Sequence, residues 1–102
     1  MTISLERLLG QIAEDLAIAH PQDRAAYERV AVEPQLMPII NDPRHEDVWV
    51  VAKFGDQALF YDDVEGGFNV SAVVDGNLTE PGYSQDPIGG AIRTWQKLRE
   101  RA

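Results

Sequence analysis

The densest group of side chains that could bind a metal ion or act in catalysis is the carboxylate run Asp62, Asp63 and Glu65, which comes directly before a glycine pair at 66–67. Closely spaced carboxylates bind Ca²⁺, and two carboxylates facing each other across a cleft hydrolyse glycosides. A calcium loop needs acids at alternate positions and a distal glutamate, and this run has neither. We therefore expect no metal site and no cofactor, and we interpret the run as a solvated hairpin loop whose charges protect a strand end.

Nucleophilic catalysis would need a serine, threonine or cysteine that a histidine activates. The chain has no cysteine, and its two histidines are His20, at a helix end before proline, and His45, in a charged turn. Neither histidine accompanies a Gly-x-Ser-x-Gly motif, and the glycine pairs at 66–67 and 89–90 lack the pattern of a phosphate-binding loop. We expect no catalytic residue and predict that the protein is not an enzyme.

The distribution of charge narrows the choice of partner. The net charge is −8, and residues 42–86 hold ten acidic residues against Arg44 and Lys53. Such a field repels nucleic acid and anionic lipid, and it favours a basic partner. We therefore expect a protein partner, with no nucleic acid and no membrane. Simple solubility is an alternative reason for an acidic balance.

The basic residues near the C-terminus oppose this field. They are Arg93, Lys97, Arg99 and Arg101. A protein that reads nucleic acid needs clustered bases together with aromatic side chains. Because Arg93 and Lys97 are four residues apart, they lie on one face of a helix, which is typical of a solvated surface. Arg99 and Arg101 suit the negative end of the helix dipole.

Three strands are predicted in the middle of the chain, where β-branched and aromatic residues are concentrated, at about 48–54, 57–62 and 68–74. They form an antiparallel meander. Gly55 and Asp56 separate the first two strands and suit a two-residue type II′ turn. This turn pairs Phe54 with Gln57, Ala52 with Leu59 and Val50 with Tyr61.

The two faces of this predicted hairpin differ in composition. One face is almost wholly apolar and is expected to pack on helices, whereas the other is mixed and is either covered by a loop or open to a partner. The first face carries Val48, Val50, Ala52, Phe54, Leu59 and Tyr61, and the second carries Trp49, Val51, Lys53, Ala58, Phe60 and Asp62.

Helices are predicted on both sides of the meander, at about 4–19, 22–30 and 87–101, because apolar residues there recur three and four positions apart. Residues 31–47 contain three prolines and are left open between a strand and a loop. The prediction is a single α+β domain, with a three- to four-stranded antiparallel meander packed against N-terminal and C-terminal helices.

The expected location is the cytoplasm. The sequence contains no apolar run of about 18 residues, the length that a membrane-spanning helix requires. The N-terminal stretch carries Glu6 and is amphipathic, which is unlike a secretion signal. The absence of cysteine fits a reducing compartment.

The stretches Val48–Asp56 and Phe60–Val70 resemble the small immunity proteins of bacterial polymorphic-toxin and contact-dependent growth inhibition systems. The likeness lies in small size, acidity, a short meander with an acidic loop, and a final helix. It implies a cytoplasmic protein that binds and neutralises one cognate toxin, in many cases a basic nuclease domain, by covering its active site or a nearby surface.

Two further hypotheses stay open beside the inhibitor. One is a small assembly or adaptor domain that self-associates or docks on a larger complex, and the other is a binder of small ligands between helices and sheet. For the inhibitor, loop carboxylates can stand where a nuclease expects phosphates, with two aromatic residues as anchors, although those aromatics could instead be core residues. The candidate partner-binding residues are Asp62, Asp63, Glu65, Tyr61, Trp49, Glu46 and Asp47.

Overall fold

The computed structural model describes residues 2–40, 42, 46–79 and 85–100, with side chains as far as Gln96 in the last helix. Helices flank an antiparallel sheet, so the predicted α+β class is confirmed. The helices are α1 (Leu5–Ile18), α2 (Pro21–Val30) and α3 (Ile88–Glu100), and the strands are β1 (Ala31–Pro38), β2 (Asp47–Phe54), β3 (Gln57–Asp62), β4 (Gly67–Val74) and β5 (Asn77–Leu78).

The ends of the helices follow from local chemistry. Ser4 caps α1, since its hydroxyl accepts a hydrogen bond from the Arg7 amide at 3.2 Å. Pro21 opens α2, where its missing N–H costs nothing. The first amide of α3, that of Ile88, donates to Oδ2 of the buried Asp15 at 2.9 Å. A carboxylate of α1 therefore stabilises the positive end of α3.

The same junction requires a glycine. A Cβ atom on Gly89 would lie 3.1 Å from the Cβ of Ala19, which is closer than side chains normally approach. The start of α3 therefore packs directly against the end of α1. The glycine pair of the sequence, which lowers helix propensity, permits this close contact.

The sheet has the simple order β1-β2-β3-β4-β5, with each strand antiparallel to the next. It curls until the chain after β1 reaches β5: Ile39 and Leu78 form a bridge, and the Ile40 amide donates to the Leu78 carbonyl at 2.8 Å. Residues 31–38, which the sequence left open, are thus a strand. Its prolines are tolerated because β1 lies at the edge of the sheet.

The β2–β3 hairpin confirms part of the predicted register. Gly55 has a φ of +59°, as the first position of a type II′ turn requires, and Phe54 pairs with Gln57. Ala52 also faces Leu59, as expected. Val50 pairs with Phe60, so its predicted pairing with Tyr61 is wrong. A β-bulge between Val50 and Ala52 shifts the register by one residue.

This bulge exchanges the faces of the first half of β2. Trp49 and Val51, which were predicted on the mixed face, pack with the helices, and Val48 and Val50 turn to the concave side. A one-residue shift has this effect because side chains alternate along a strand. The helix-side core contains Leu8, Ile12, Ala26, Tyr27, Val51, Ala52, Leu59, Tyr61, Phe68, Ile88, Ala91, Ile92 and Trp95. The core inside the curled sheet contains Met37, Ile39, Val48, Val50, Ala58, Phe60 and Leu78.

Hydrogen bonds from buried aromatic side chains tie the helices to the sheet. The indole N–H of Trp95 donates to Oε1 of Gln57 at 2.7 Å. The Tyr27 hydroxyl reaches the carbonyl of Val51, at the bulge, with an oxygen–oxygen distance of 3.5 Å. None of the helices in the described ranges is long and apolar enough to cross a membrane.

Candidate functional site

The predicted partner-binding residues come together at one end of the sheet. Because β2 and β3 are antiparallel, the start of β2 and the end of β3 lie side by side. The carboxylates at this edge, together with those of the β3–β4 loop, form what we call the acidic end: Glu46, Asp47, Asp62, Asp63 and Glu65.

Asp62 holds the loop rather than facing solvent. It is 2 % exposed, and its Oδ1 accepts hydrogen bonds from the amides of Val64 at 2.9 Å and Glu65 at 3.3 Å. The Gly66 amide donates to the Asp62 carbonyl at 2.8 Å. The expectation of a fully solvated loop is therefore wrong at this position, because backbone amides have replaced water around the carboxylate.

Asp63 and Trp49 fix the segment that precedes α1. The amide of Ile3 donates to Oδ1 of Asp63 at 2.7 Å, and the Ile3 carbonyl accepts from the indole N–H of Trp49 at 2.7 Å. The Thr2 hydroxyl adds a bond to the Asp47 carbonyl at 2.6 Å. Three candidate residues, two on β2 and one in the β3–β4 loop, thus contact the same short segment.

Tyr61 lies beneath this segment. Its ring is buried and makes an edge-to-face contact with Phe68, with ring centroids 5.3 Å apart. Burial raises the pKa of the Tyr61 hydroxyl, and the negative charge of Asp63 raises it further, against the opposing charge of Arg7. These residues border a cleft of about 450 Å³, which is lined by Thr2, Ile3, Ser4, Arg7, Tyr61 and Asp63.

The carboxylates of the acidic end differ in their exposure to solvent. Asp47 and Glu65 are exposed, whereas Glu46 and Asp63 are half-buried. One oxygen of Glu65 accepts a hydrogen bond from the Gln85 amide nitrogen at 3.1 Å, which ties the loop to the segment before α3. Asp47 and Glu65 are therefore the most accessible carboxylates of the acidic end.

A second cluster of charged residues lies where the three helices meet. Asp23 is buried and accepts a hydrogen bond from the guanidinium of Arg93 at 2.5 Å, which raises the pKa of Arg93. With Asp15 and His20, these residues line a cavity of about 220 Å³. Since Asp15 is bonded to α3 and Asp23 to Arg93, we interpret the cluster as helix packing rather than as a reaction site.

An apolar groove of about 180 Å³ lies at the opposite end of the sheet. It runs between α2 and α3 beside the β2–β3 turn, and half-exposed Phe54 forms one wall. Arg29 borders the groove, and Lys53 is exposed on the strand that leads to it. Exposed basic residues therefore lie near this groove, together with the exposed acid Asp56 of the β2–β3 turn.

Within the part of the chain that the structure describes, the histidine, aspartate and glutamate side chains form no group of three or more that could hold a metal ion. His20 lies at the boundary of α1 and α2 and serves as the backbone cap of α2. His45 lies outside the described residues.

Sequence reasoning missed the exposed apolar residues beside the acidic end. Leu5 and Leu9 belong to the apolar pattern that predicts α1 and a single core contact, yet their side chains are 43 % and 49 % exposed. Leu36 of β1 is also 49 % exposed. The sequence did contain a signal for this exposure, because the apolar residues of α1 cover a wider arc of the helix than one core contact needs.

Comparison with models of protein families, with curated proteins and with solved structures found no match to this chain.

Proposed function

We propose that this protein is a cytoplasmic immunity protein: an acidic, non-enzymatic binding module that neutralises a cognate bacterial toxin by covering its active site. The observation that supports this most directly is the acidic end, where Asp47 and Glu65 are exposed. The Asp47 carbonyl accepts a hydrogen bond from Thr2, which lines the cleft together with Tyr61 and Asp63. A basic toxin, such as a nuclease domain, offers the complementary charge.

The physical basis of the proposal is electrostatic complementarity. A nuclease binds phosphate with basic side chains, and carboxylates presented in a fixed geometry can occupy the same positions. Opposite fields also raise the association rate by one to three orders of magnitude at low salt. The carboxylates of Asp62 and Asp63 accept hydrogen bonds from backbone amides and so keep the loop and the N-terminal segment in place, so that little ordering is needed upon binding.

The test combines capture with a growth assay. The tagged protein is incubated with lysate of the bacterium that encodes it and washed at low and at high salt. The captured partner is then expressed in a laboratory host with and without the inhibitor. We expect one basic protein, held in near-equal amount, which arrests growth when expressed alone and is harmless when this chain is present.

A charge-matched pair of variants locates the contact. Asp47→Lys with Glu65→Lys reverses two exposed acids of the acidic end, whereas Glu28→Lys with Asp56→Lys makes the same change on exposed positions elsewhere. We expect the first pair to slow association and abolish protection, and the second pair to protect nearly as well as the natural protein. Capture of this chain itself or of a large complex, with no toxic partner, would replace the inhibitor by an assembly domain.

A further inference from the structure

The packing of the fold does not account for three exposed leucines beside the acidic end. Leu5 and Leu9 are one helical turn apart on α1, next to the row formed by Leu8 and Ile12, which are buried in the helix-side core. Leu36 lies on β1. About half of each side chain is in contact with solvent.

A chain of contacts links Leu36 to the start of α1. Leu36 is paired with Trp49 across the β1–β2 ladder, so the two side chains share the helix-facing side of the sheet. The indole of Trp49 is hydrogen-bonded to the carbonyl of Ile3, and Leu5 follows two residues later. Half-buried Trp49 and Ile3 thus lie between Leu36 and the start of α1. We name this surface the leucine patch: Leu5, Leu9 and Leu36, with Ile3 and Trp49 between the helix and the strand.

The surroundings of the leucine patch are mainly acidic. Glu6 on α1, Glu33 on β1 and Asp47 on β2 are exposed at its border, and Glu46 is half-buried beside them. Arg7, in contrast, lines the cleft that contains Tyr61 and Asp63. An apolar centre with a charged rim is the usual anatomy of a protein–protein interface.

We propose that the leucine patch is the apolar centre of the partner-binding surface, and that it takes a basic amphipathic segment whose apolar side chains are flanked by lysine or arginine. The negative charge of the protein favours a basic segment over a second copy of the chain or an anionic lipid surface. A second copy of the chain would bring another net charge of −8 against the same rim, and an anionic lipid surface would be repelled in the same way.

This inference rests on the proposed function, and it assigns different roles in binding to the acidic rim and to the leucines. The acidic rim attracts the partner and sets the association rate, whereas leucines removed from water hold it and set the dissociation rate. The inhibitor would then depend more on Leu5 and Leu9 for affinity than on any single carboxylate.

The test uses three synthetic helical peptides of 18 residues as probes. The first has leucine on one face and lysine on the other, the second replaces each lysine by glutamate, and the third replaces each leucine by glutamine. Binding is followed by titration calorimetry and by the backbone and indole N–H resonances of the ¹⁵N-labelled protein. We expect the lysine–leucine peptide to bind and to shift the resonances of Leu5, Leu9, Leu36 and the Trp49 indole. The other two peptides should bind at least about tenfold more weakly.

The variant Leu5→Ser with Leu9→Ser should weaken the lysine–leucine peptide by about tenfold or more. The matched control is Ile18→Ser with Val74→Ser, which removes exposed apolar side chains elsewhere, at 79 % and 49 % exposure, and should bind as the natural protein does. Circular dichroism is used to check that each variant is folded. Equal binding by both variants, or shifts centred on the groove beside Phe54, would overturn the proposal.

Two results separate this inference from the proposed function. If Leu5→Ser with Leu9→Ser still protects cells from the toxic partner, the inhibitor function stands and the leucine patch is rejected. If no toxic partner exists but the basic peptide binds at the patch, the patch stands and the inhibitor function is rejected. Sedimentation is the last check, since a dimer that the leucine variant converts to a monomer would show a second copy to be the occupant.

Discussion

Asp62 and Asp63 are adjacent in the chain, and they stabilise different parts of the structure. Asp62 accepts hydrogen bonds from the amides of its own loop, whereas Asp63 reaches the amide of Ile3, sixty residues away. Neither carboxylate is simply a solvated charge. Glu65, two residues further on, is exposed, so the acidic run contains both structural and available carboxylates.

Replacing Asp62 should therefore cost much more stability than replacing Glu65. Asp62→Ala leaves the amides of Val64 and Glu65 without their acceptor and should lower the free energy of unfolding by about 1–3 kcal/mol. Glu65→Ala should change it by less than about 0.5 kcal/mol. Urea unfolding followed by circular dichroism measures both values. Equal losses in the two variants would contradict the structural role of Asp62.

Two tyrosines make the fold sensitive to high pH. Burial raises the pKa of the Tyr27 and Tyr61 hydroxyls above their ordinary value, because the ionised form is poorly solvated in the interior. Since the folded pKa exceeds the unfolded one, this contribution to stability is complete below about pH 10 and is lost as the pH rises through the folded pKa.

We expect the free energy of unfolding to fall above about pH 10, in parallel with the phenolate absorbance at about 295 nm. The variant Tyr61→Phe should reduce the alkaline loss, and a further change, Tyr27→Phe, should reduce it more. Tyr61→Phe also removes a ring hydroxyl without removing the edge-to-face contact with Phe68, so its neutral-pH stability is the internal control. An unchanged alkaline slope in both variants would show that other groups cause the loss.

At the scale of elements, the sequence predicted regular features well and irregular ones poorly. Helix periodicity and the Gly55 turn depend on local chemistry, and both are present at the expected positions. The bulge in β2 depends on packing against the helices, where Val51 and Ala52 are both in contact with the core. No dipeptide signal marks such a bulge, so the faces of Trp49 and Val50 could not be assigned correctly.

For the candidate partner-binding residues, location could be predicted from the sequence, but burial could not. Position along the chain was enough to bring Asp47, Asp63 and Glu65 to one end of the sheet, because a hairpin fixes which strand ends are adjacent. Burial was not predictable, since it depends on where the N-terminal segment docks. Exposed Leu5 and buried Leu8 both carry the same apolar signal in the sequence.

The two glycines at the start of α3 should respond oppositely to alanine. Gly90→Ala meets only ordinary contacts, the nearest at 3.8 Å, and should raise stability by up to about 1 kcal/mol because alanine is the better helix former. Gly89→Ala places a methyl group 3.1 Å from Ala19, and the helices must separate to accept it. We expect a net loss, of about 1–3 kcal/mol.

Thermal unfolding of the two alanine variants tests this difference directly. The melting temperature of Gly90→Ala should lie above that of the natural protein, and that of Gly89→Ala below it. A double change, Ala19→Gly with Gly89→Ala, supplies the control, because removing the opposing methyl group should recover part of the loss. A stabilised Gly89→Ala variant would show that the junction of α1 and α3 is not tightly packed.

For the whole molecule, the net charge of −8 is a source of internal repulsion. Salt screens this repulsion, since the Debye length falls from about 30 Å at 0.01 M to about 8 Å at 0.15 M. We expect the free energy of unfolding to rise over that range. The variant Glu28→Lys with Asp56→Lys, which lowers the net negative charge, should show a smaller rise. Stability that falls with added salt would indicate that attractive pairs such as Arg93–Asp23 outweigh the repulsion.

The bond between Asp15 and the Ile88 amide joins residues that are 73 positions apart in the chain. During synthesis α1 emerges from the ribosome long before α3, and the core around Leu8 and Ile12 then lacks the residues that α3 contributes to it. Domains generally complete folding only when their distant contacts exist, and exposed apolar surface in the interval favours aggregation. A nascent chain halted before Ile88 should accordingly bind holding chaperones and be degraded rapidly, whereas the released chain should escape both.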